Sequence, residues 1–139
     1  MNTDRSQDIR DRTFAFACRI TRLCLDLGAR PGTRNIIDQL LKSGTAIGAN
    51  LEEAKAGSSK RDFIRYVEIS QREARETVYW LRSCLAVQLG PSNEVQDLPE
   101  EAEQVARILG AIVVSAKRRM LLGSAVFAFC ILNFALLLS

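Results

Sequence analysis

The chain has 139 residues, of which 47% are hydrophobic and 25% charged, so one globular domain with a buried core fits better than a disordered chain. It contains no histidine, which removes the commonest general base and metal ligand. Its net charge of +3 is too weak by itself to imply nucleic-acid binding.

The first helix is predicted from residue 3 or 6 to residue 27, where apolar side chains recur at three- and four-residue steps. Gly28 is expected to end this helix, and residues 30–32 are expected to form a turn. The face predicted to enter the core consists of Phe14, Ala17, Ile20 or Thr21, Cys24 and Leu27.

The second helix is expected to start near Thr33 and to end before Gly57. Gly44 and Gly48 stack on one face of it, where the missing side chains let a neighbouring helix approach closely. A glycine-rich phosphate loop is the alternative, but no strand precedes these glycines and no Lys follows them at the Walker spacing. We therefore predict a packing role for both. The full apolar stripe is Ile37, Leu40, Leu41, Gly44, Ile47, Gly48, Leu51 and Ala54.

The third helix is expected to begin at residue 58 or 59 and to run to about residue 89. Ser59 and Asp62 resemble a capping box at its start. A fourth helix follows with Asp97 as its cap, and its heptad seam is Leu98, Ala102, Val105, Leu109, Ile112 and Ala116. Short loops between long amphipathic helices favour an all-α, antiparallel up-down-up-down four-helix bundle over residues 1–119.

The tail, residues 120–139, differs from the rest because it carries no charge and follows the basic triplet at residues 117–119. As a helix it would cover about 30 Å, the thickness of the hydrocarbon core of a membrane. This pattern predicts an extra apolar helix that spans the inner membrane and anchors a cytoplasmic bundle. The alternatives are an extension of helix four buried in an oligomer and a frame disturbance in the gene.

One polar pair is predicted between helices two and three. Asn50 shares a face with Ile47 and Ala54, and Glu73 lies on a mostly apolar line of helix three. A buried amide or carboxylate needs a hydrogen-bond partner. We therefore predict that Asn50 and Glu73 belong to one buried network that fixes the register of the two helices.

No catalytic constellation is present. Carboxylate bundles that bind two metal ions use Glu-x-x-His pairs, and this chain has no histidine to complete such a pair or a Ser or Cys triad. The four cysteines lack C-x-x-C spacing and are expected to be buried and reduced. The sequence predicts no enzyme activity, no metal site and no cofactor.

The strongest surface signal is a row of arginines on helix three. Five arginines share one helical stripe with Glu68 and Tyr79: Arg61, Arg65, Arg72, Arg75 and Arg82. Helix one has a smaller version in Arg5, Arg12, Arg19 and Arg22. The stripe favours contact with RNA or DNA, because guanidinium groups bind phosphate and stack on rings. The alternative is a solvated face with internal pairs such as that of Glu68 with Arg72.

Three segments resemble a bacterial four-helix-bundle family: SGTAIGANLEEA at residues 43–54, SKRDF at 59–63 and EARETVYWL at 73–81. The family includes proteins encoded in intervening sequences of 23S ribosomal RNA genes and the accessory variability proteins of diversity-generating retroelements. The resemblance implies an up-down bundle, a homo-oligomer that is typically a pentameric barrel, and no enzyme activity. For the retroelement branch it also implies binding of nucleic acid and of a reverse transcriptase.

The function that we predict is a non-catalytic, homo-oligomeric adaptor that binds RNA, DNA or a nucleic-acid-processing partner through the arginines of helix three. The alternative is a membrane-tethered interaction scaffold without a nucleic-acid role. Salt-dependent binding distinguishes the two, since phosphate contacts weaken as salt rises.

Overall fold

The computed structural model describes the backbone of residues 2–28, 30–90 and 96–137, and the side chains of residues 9–28, 30–90 and 96–128. Within these ranges the regular structure is helical, with no strand. The four helices are α1 (Asn2–Leu27), α2 (Arg34–Ala56), α3 (Lys60–Ala86) and α4 (Leu98–Leu137). The predicted all-α four-helix bundle is confirmed.

Consecutive helices make the closest backbone contacts in the bundle. The hydroxyl of Thr77 on α3 donates to that of Ser43 on α2, and the hydroxyl of Ser70 donates to the carbonyl of Ile47. Residue numbers thus rise along one helix as they fall along the other, which is the antiparallel arrangement. Helix α1 reaches α4 through long side chains that form ion pairs.

The helix ends follow local chemistry. Ser59 caps α3 by accepting a hydrogen bond of 3.0 Å from the backbone amide of Asp62, as the sequence predicts. Gly28 follows α1 with φ +62°, a left-handed conformation that glycine adopts without strain. Helix α3 ends at Ala86, earlier than expected, and Gln88 after it has φ 54°.

The core lies along the seam that all four helices share. Ile20, Leu40, Ile47, Leu81 and Leu109 are fully buried there. On α2 and α4 the predicted apolar stripes are the faces that point into this core, since their members are buried or half-buried. These two faces were readable because their apolar residues recur without interruption.

The predicted inner face of α1 is partly wrong. Phe14 is 70% exposed, whereas Phe16 is only 1% exposed. The buried face runs back from Leu27 through Ile20 and Phe16 to Thr13. The hydroxyl of Thr13 donates to the carbonyl of Arg10, so this polar residue is satisfied inside the core. A purely apolar pattern does not reveal a face that includes such a threonine.

The tail does not form a separate helix. Helix α4 is one continuous helix of 40 residues, against 27 for α3, so it extends past the bundle as an unbroken rod. The side chains of residues 121–128 are exposed. The predicted extra C-terminal helix is therefore the second half of α4.

The predicted membrane span at residues 120–139, and with it the predicted anchor, is contradicted. Across the part of the chain that the structure describes, no helix is long and apolar enough to cross a membrane. The side chains of residues 129–139, on which this prediction also rested, lie outside the described residues.

Candidate nucleic-acid interface

The five predicted arginines of α3 all lie on its exposed surface. We call this set, Arg61, Arg65, Arg72, Arg75 and Arg82, the α3 arginine face. It lies opposite the buried face of α3, which contains Val67, Ala74 and Leu81. From its first to its last member the α3 arginine face spans about 32 Å at 1.5 Å per residue.

None of these five arginines forms an ion pair within the part of the chain that the structure describes. The expected pair of Glu68 with Arg72 is not formed, because Glu68 binds the ammonium of Lys117 on α4 at 2.5 Å instead. The only described interaction of the face is that of Arg65, whose guanidinium lies 5.2 Å from the ring centre of Tyr66. The positive charge of the α3 arginine face therefore points to solvent.

An exposed aromatic ring lies within the α3 arginine face. Tyr79 is 62% exposed and stands between Arg75, four residues before it, and Arg82, three residues after it. Its ring packs edge-on against Trp80, with 4.9 Å between the ring centres. The indole nitrogen of Trp80 donates to Glu76. A ring held among guanidinium groups can stack on an unpaired base.

Two arginines of α1, Arg12 and Arg19, are arranged differently, because they bind carboxylates at or just before the start of α4. Arg12 donates to both oxygens of Glu101, at 2.6 and 2.7 Å, and to the side-chain oxygen of Gln104. Arg19 donates to both oxygens of Asp97. Hydrogen bonds from these arginines hold the pKa of each carboxyl below its ordinary value. Two members of the predicted smaller stripe of α1, Arg12 and Arg19, are thus paired, whereas Arg22 is exposed. The side chain of Arg5 lies outside the described residues.

The predicted network of Asn50 and Glu73 is not formed. The side-chain amide of Asn50 donates at 2.8 Å to the carbonyl of Ala46 in its own helix. Glu73 is half-buried, and its pKa is raised by burial first and by the neighbouring charge of Glu76 second. Asn50 is one turn from its own carbonyl acceptor, so it needs no partner on α3.

Two hydrogen bonds from smaller polar residues fix the register of α2 and α3 instead. The hydroxyl of Thr77 donates to that of Ser43 at 3.0 Å, and the hydroxyl of Ser70 donates to the carbonyl of Ile47 at 2.7 Å. All three hydroxyl-bearing residues are buried. Their placement on otherwise apolar stripes is the sequence signal that points to this contact.

Gly44 and Gly48 lie against α1. A methyl group at Gly44 would come within 2.7 Å of the Cγ2 atom of Ile20, closer than real side chains approach. At Gly48 the same group would lie 3.6 Å from the backbone of Thr13. Helix α2 therefore packs on α1 through its glycines, with the tightest approach at Gly44.

The described residues offer no other chemical centre. Among them, no group of three or more His, Cys, Asp or Glu side chains could hold a metal ion. Cys24 and Cys84 are buried free thiols. Burial raises the pKa of Cys24 to about 11, so it is an unreactive thiol at neutral pH. The absence of enzyme activity stays a prediction.

Comparisons with known proteins agree with this architecture. A family model described as "23S rRNA-intervening sequence protein" matches residues 5–111. The chain is also similar to a crystal structure from Bacteroides thetaiotaomicron, of a protein with unknown function from the S23 ribosomal protein family. That match has 30% sequence identity and a TM-score of 0.70, and covers 76% of this chain and 97% of the other. No curated protein matches the chain.

Proposed function

This chain belongs to the family of 23S rRNA-intervening sequence proteins, and we propose that it is a non-catalytic, homo-oligomeric adaptor that binds RNA or DNA. The binding surface is the α3 arginine face. The observation that carries this proposal is that five exposed arginines on one helix have no ion pair within the described chain. Unpaired surface cations in such a row are suited to a polyanion.

The dimensions of the α3 arginine face fit a nucleic acid. Its length of about 32 Å is close to one helical turn of duplex DNA, about 34 Å. Arginine binds phosphate through two parallel N–H donors, so each member can hold one phosphate group. Tyr79 adds a ring for a base that is not paired, which extends the range of ligands to single strands.

Salt dependence is the direct test of this proposal. Binding of a labelled RNA or DNA oligonucleotide is measured by fluorescence anisotropy at several salt concentrations. Five phosphate contacts give a slope of log affinity against log salt of about −4.5 on duplex DNA and about −3.5 on single strands. A slope near zero, or no binding at low salt, would exclude the proposed function.

Charge reversal assigns the binding to this surface. The triple variant Arg65→Glu, Arg72→Glu and Arg75→Glu should lose at least about a hundredfold in affinity at low salt. The matched control reverses three exposed arginines outside this face, Arg22, Arg30 and Arg34. It changes the net charge equally, so equal loss in both variants would show that only overall charge matters.

The homo-oligomeric part of the proposal is supported by α1. Phe14 and Leu25 are 70% and 76% exposed and, with Cys18 and Thr21 between them, follow steps of four, three and four residues. This is the spacing of a second apolar stripe, which a further copy of the chain would bury.

Light scattering after size-exclusion chromatography tests this assembly. The double variant Phe14→Ser and Leu25→Ser should form a smaller species than the native chain, for which the family resemblance predicts a pentamer of the 15.5-kDa subunit. Val87→Ser is the control, because Val87 is also exposed, at 65%, but lies beyond the end of α3. An unchanged mass for the double variant would remove α1 from the interface.

A further inference from the structure

A groove of about 330 Å³ lies where the first turns of α3 pass α4. Its volume is at the lower end of the range of about 300–1,000 Å³ for small-molecule sites. We call it the α3–α4 groove. It is lined by Arg61, Ile64, Arg65, Glu68, Lys117, Met120 and Leu121. The nucleic-acid proposal uses two of these residues and gives no role to the others.

Four charged residues border the α3–α4 groove, and their balance favours an anion. Lys117 is neutralised by Glu68, the one carboxylate in the lining. Arg61 and Arg65 are left, one helical turn apart and without an ion pair within the described residues. The ring of Tyr66 lies under the guanidinium of Arg65 and helps to hold it in place. Two neighbouring guanidinium groups of this kind bind a carboxylate through charge-assisted hydrogen bonds.

The rest of the lining is apolar. Ile64 is buried, Met120 is half-buried, and Leu121 is exposed at the edge. Together they give an apolar wall bordered by two cations that form no ion pair among the described residues. A bare phosphate would use only the cations, and a nucleic acid has no aliphatic chain for the wall. The complementary ligand is an anion with one apolar chain.

We propose that the α3–α4 groove binds a single-chain fatty acid. Its carboxylate lies on Arg61 and Arg65, and its chain lies against Ile64, Met120 and Leu121. This site shares Arg61 and Arg65 with the proposed nucleic-acid surface but does not rest on that proposal, because it needs the apolar wall and none of the other three arginines.

Calorimetric titration of the full chain with submicellar dodecanoate, in detergent-free buffer, tests this proposal. We expect saturable binding that weakens at least about tenfold in the double variant Arg61→Gln and Arg65→Gln, through loss of two charge-assisted contacts. Arg75→Gln with Arg82→Gln is the matched control and should bind dodecanoate normally. Leu121→Asn should weaken binding, whereas Leu122→Asn, which is exposed outside the groove, should not.

Three further ligands separate the proposal from its alternatives. Dodecyltrimethylammonium has the same chain and the opposite charge, acetate has the charge without the chain, and inorganic phosphate is an anion without a chain. We expect none of them to compete with dodecanoate. Equal binding of the cationic amphiphile would mean that apolar surface alone is responsible, and competition by phosphate would mean a plain anion site. Either result, or a normal affinity in the double variant, overturns the fatty-acid site without affecting the salt test of nucleic-acid binding.

Discussion

Helices α1 and α3 both carry a row of arginines, and the two rows differ in whether their guanidinium groups form ion pairs. On α1, Arg12 and Arg19 each donate two hydrogen bonds to a carboxylate of α4 or of the turn before it. On α3, the members of the α3 arginine face meet no carboxylate among the described residues. Arginine therefore links two helices through ion pairs on α1, whereas on α3 its guanidinium group is left exposed.

The difference comes from where the acidic residues fall. Asp97 and Glu101 flank the start of α4, where the positive end of the helix dipole stabilises carboxylates. This end of α4 lies beside α1. On α3 itself, Glu68 binds Lys117 and Glu76 accepts a hydrogen bond from Trp80. A row of arginines is thus informative about ligands only after the carboxylates within reach have been assigned.

The largest effect that we expect is on stability, from Arg12→Ala. This change leaves the half-buried Glu101 without its bidentate partner, and loss of a hydrogen-bonded charge partner costs about 1–3 kcal/mol. Urea unfolding measures the change. If the free energy of unfolding fell no more in this variant than in a variant of the α3 arginine face, the contrast between the two rows would be wrong.

The next effect is on ligand binding, from Tyr79→Glu. A carboxylate at this position lies four residues after Arg75 and three before Arg82, so it can pair with both and give this part of α3 the character of α1. We expect the affinity for an oligonucleotide to fall about tenfold at low salt, since two phosphate contacts are lost. Tyr79→Phe keeps the ring and adds no charge, and should bind normally. Native affinity in the Glu variant would argue against this end of the face.

A smaller effect should follow from acid. The pKa of Glu101 is lowered from its ordinary 4.5, chiefly by the hydrogen bond from Arg12, and that of Asp97 is lowered chiefly by Arg19. A lowered pKa in the folded state adds stability above the ordinary pKa, and this stability is lost as the pH falls through the folded value. Unfolding measured from pH 6 to pH 2 should show this decline, and Arg12→Ala should make it shallower. An equally steep decline in that variant would show that other carboxylates cause it.

The smallest effect should come from Arg72→Ala. This side chain is exposed and unpaired within the described chain, so its removal should change the free energy of unfolding by less than about 0.5 kcal/mol. The same urea titration as for Arg12→Ala measures it, and the same protein should show weaker nucleic-acid binding. A loss of more than 1 kcal/mol would reveal a structural partner for Arg72 and remove it from the α3 arginine face.

Much of the fold was predictable because apolar residues recur at helical spacing, without interruption, along the inner faces of α2 and α4. Helix α1 was harder to interpret, since both Phe14 and Phe16 are candidates for the core and its buried face includes the polar residue Thr13. For the candidate site, the sequence placed the arginines of α3 on one stripe. It did not tell them apart from Arg12 and Arg19, because pairing depends on the rotation of each helix and on which neighbour faces it.

Asn50 also shows that the sequence alone does not reveal which partner a polar side chain binds. Its position on an apolar stripe predicted a partner on another helix, yet its amide finds an acceptor one turn away. Local acceptors are always present along a helix, so a polar residue on an inner face does not by itself identify a cross-helix contact. Ser43 and Thr77 did form one because their short side chains keep the hydroxyls close to the seam.

The close approach of Gly44 to Ile20 links two positions that are distant in the sequence. Ile20 is fully buried, so it has no room to move away from a new methyl group on α2. The atoms of Ile20 that a methyl group at position 44 would meet are Cγ2, Cγ1 and Cβ. Any member of this fold with alanine at position 44 should therefore carry a residue without Cγ atoms at position 20, such as alanine. The two side chains share one fixed volume in the core, so a larger residue at one position requires a smaller residue at the other.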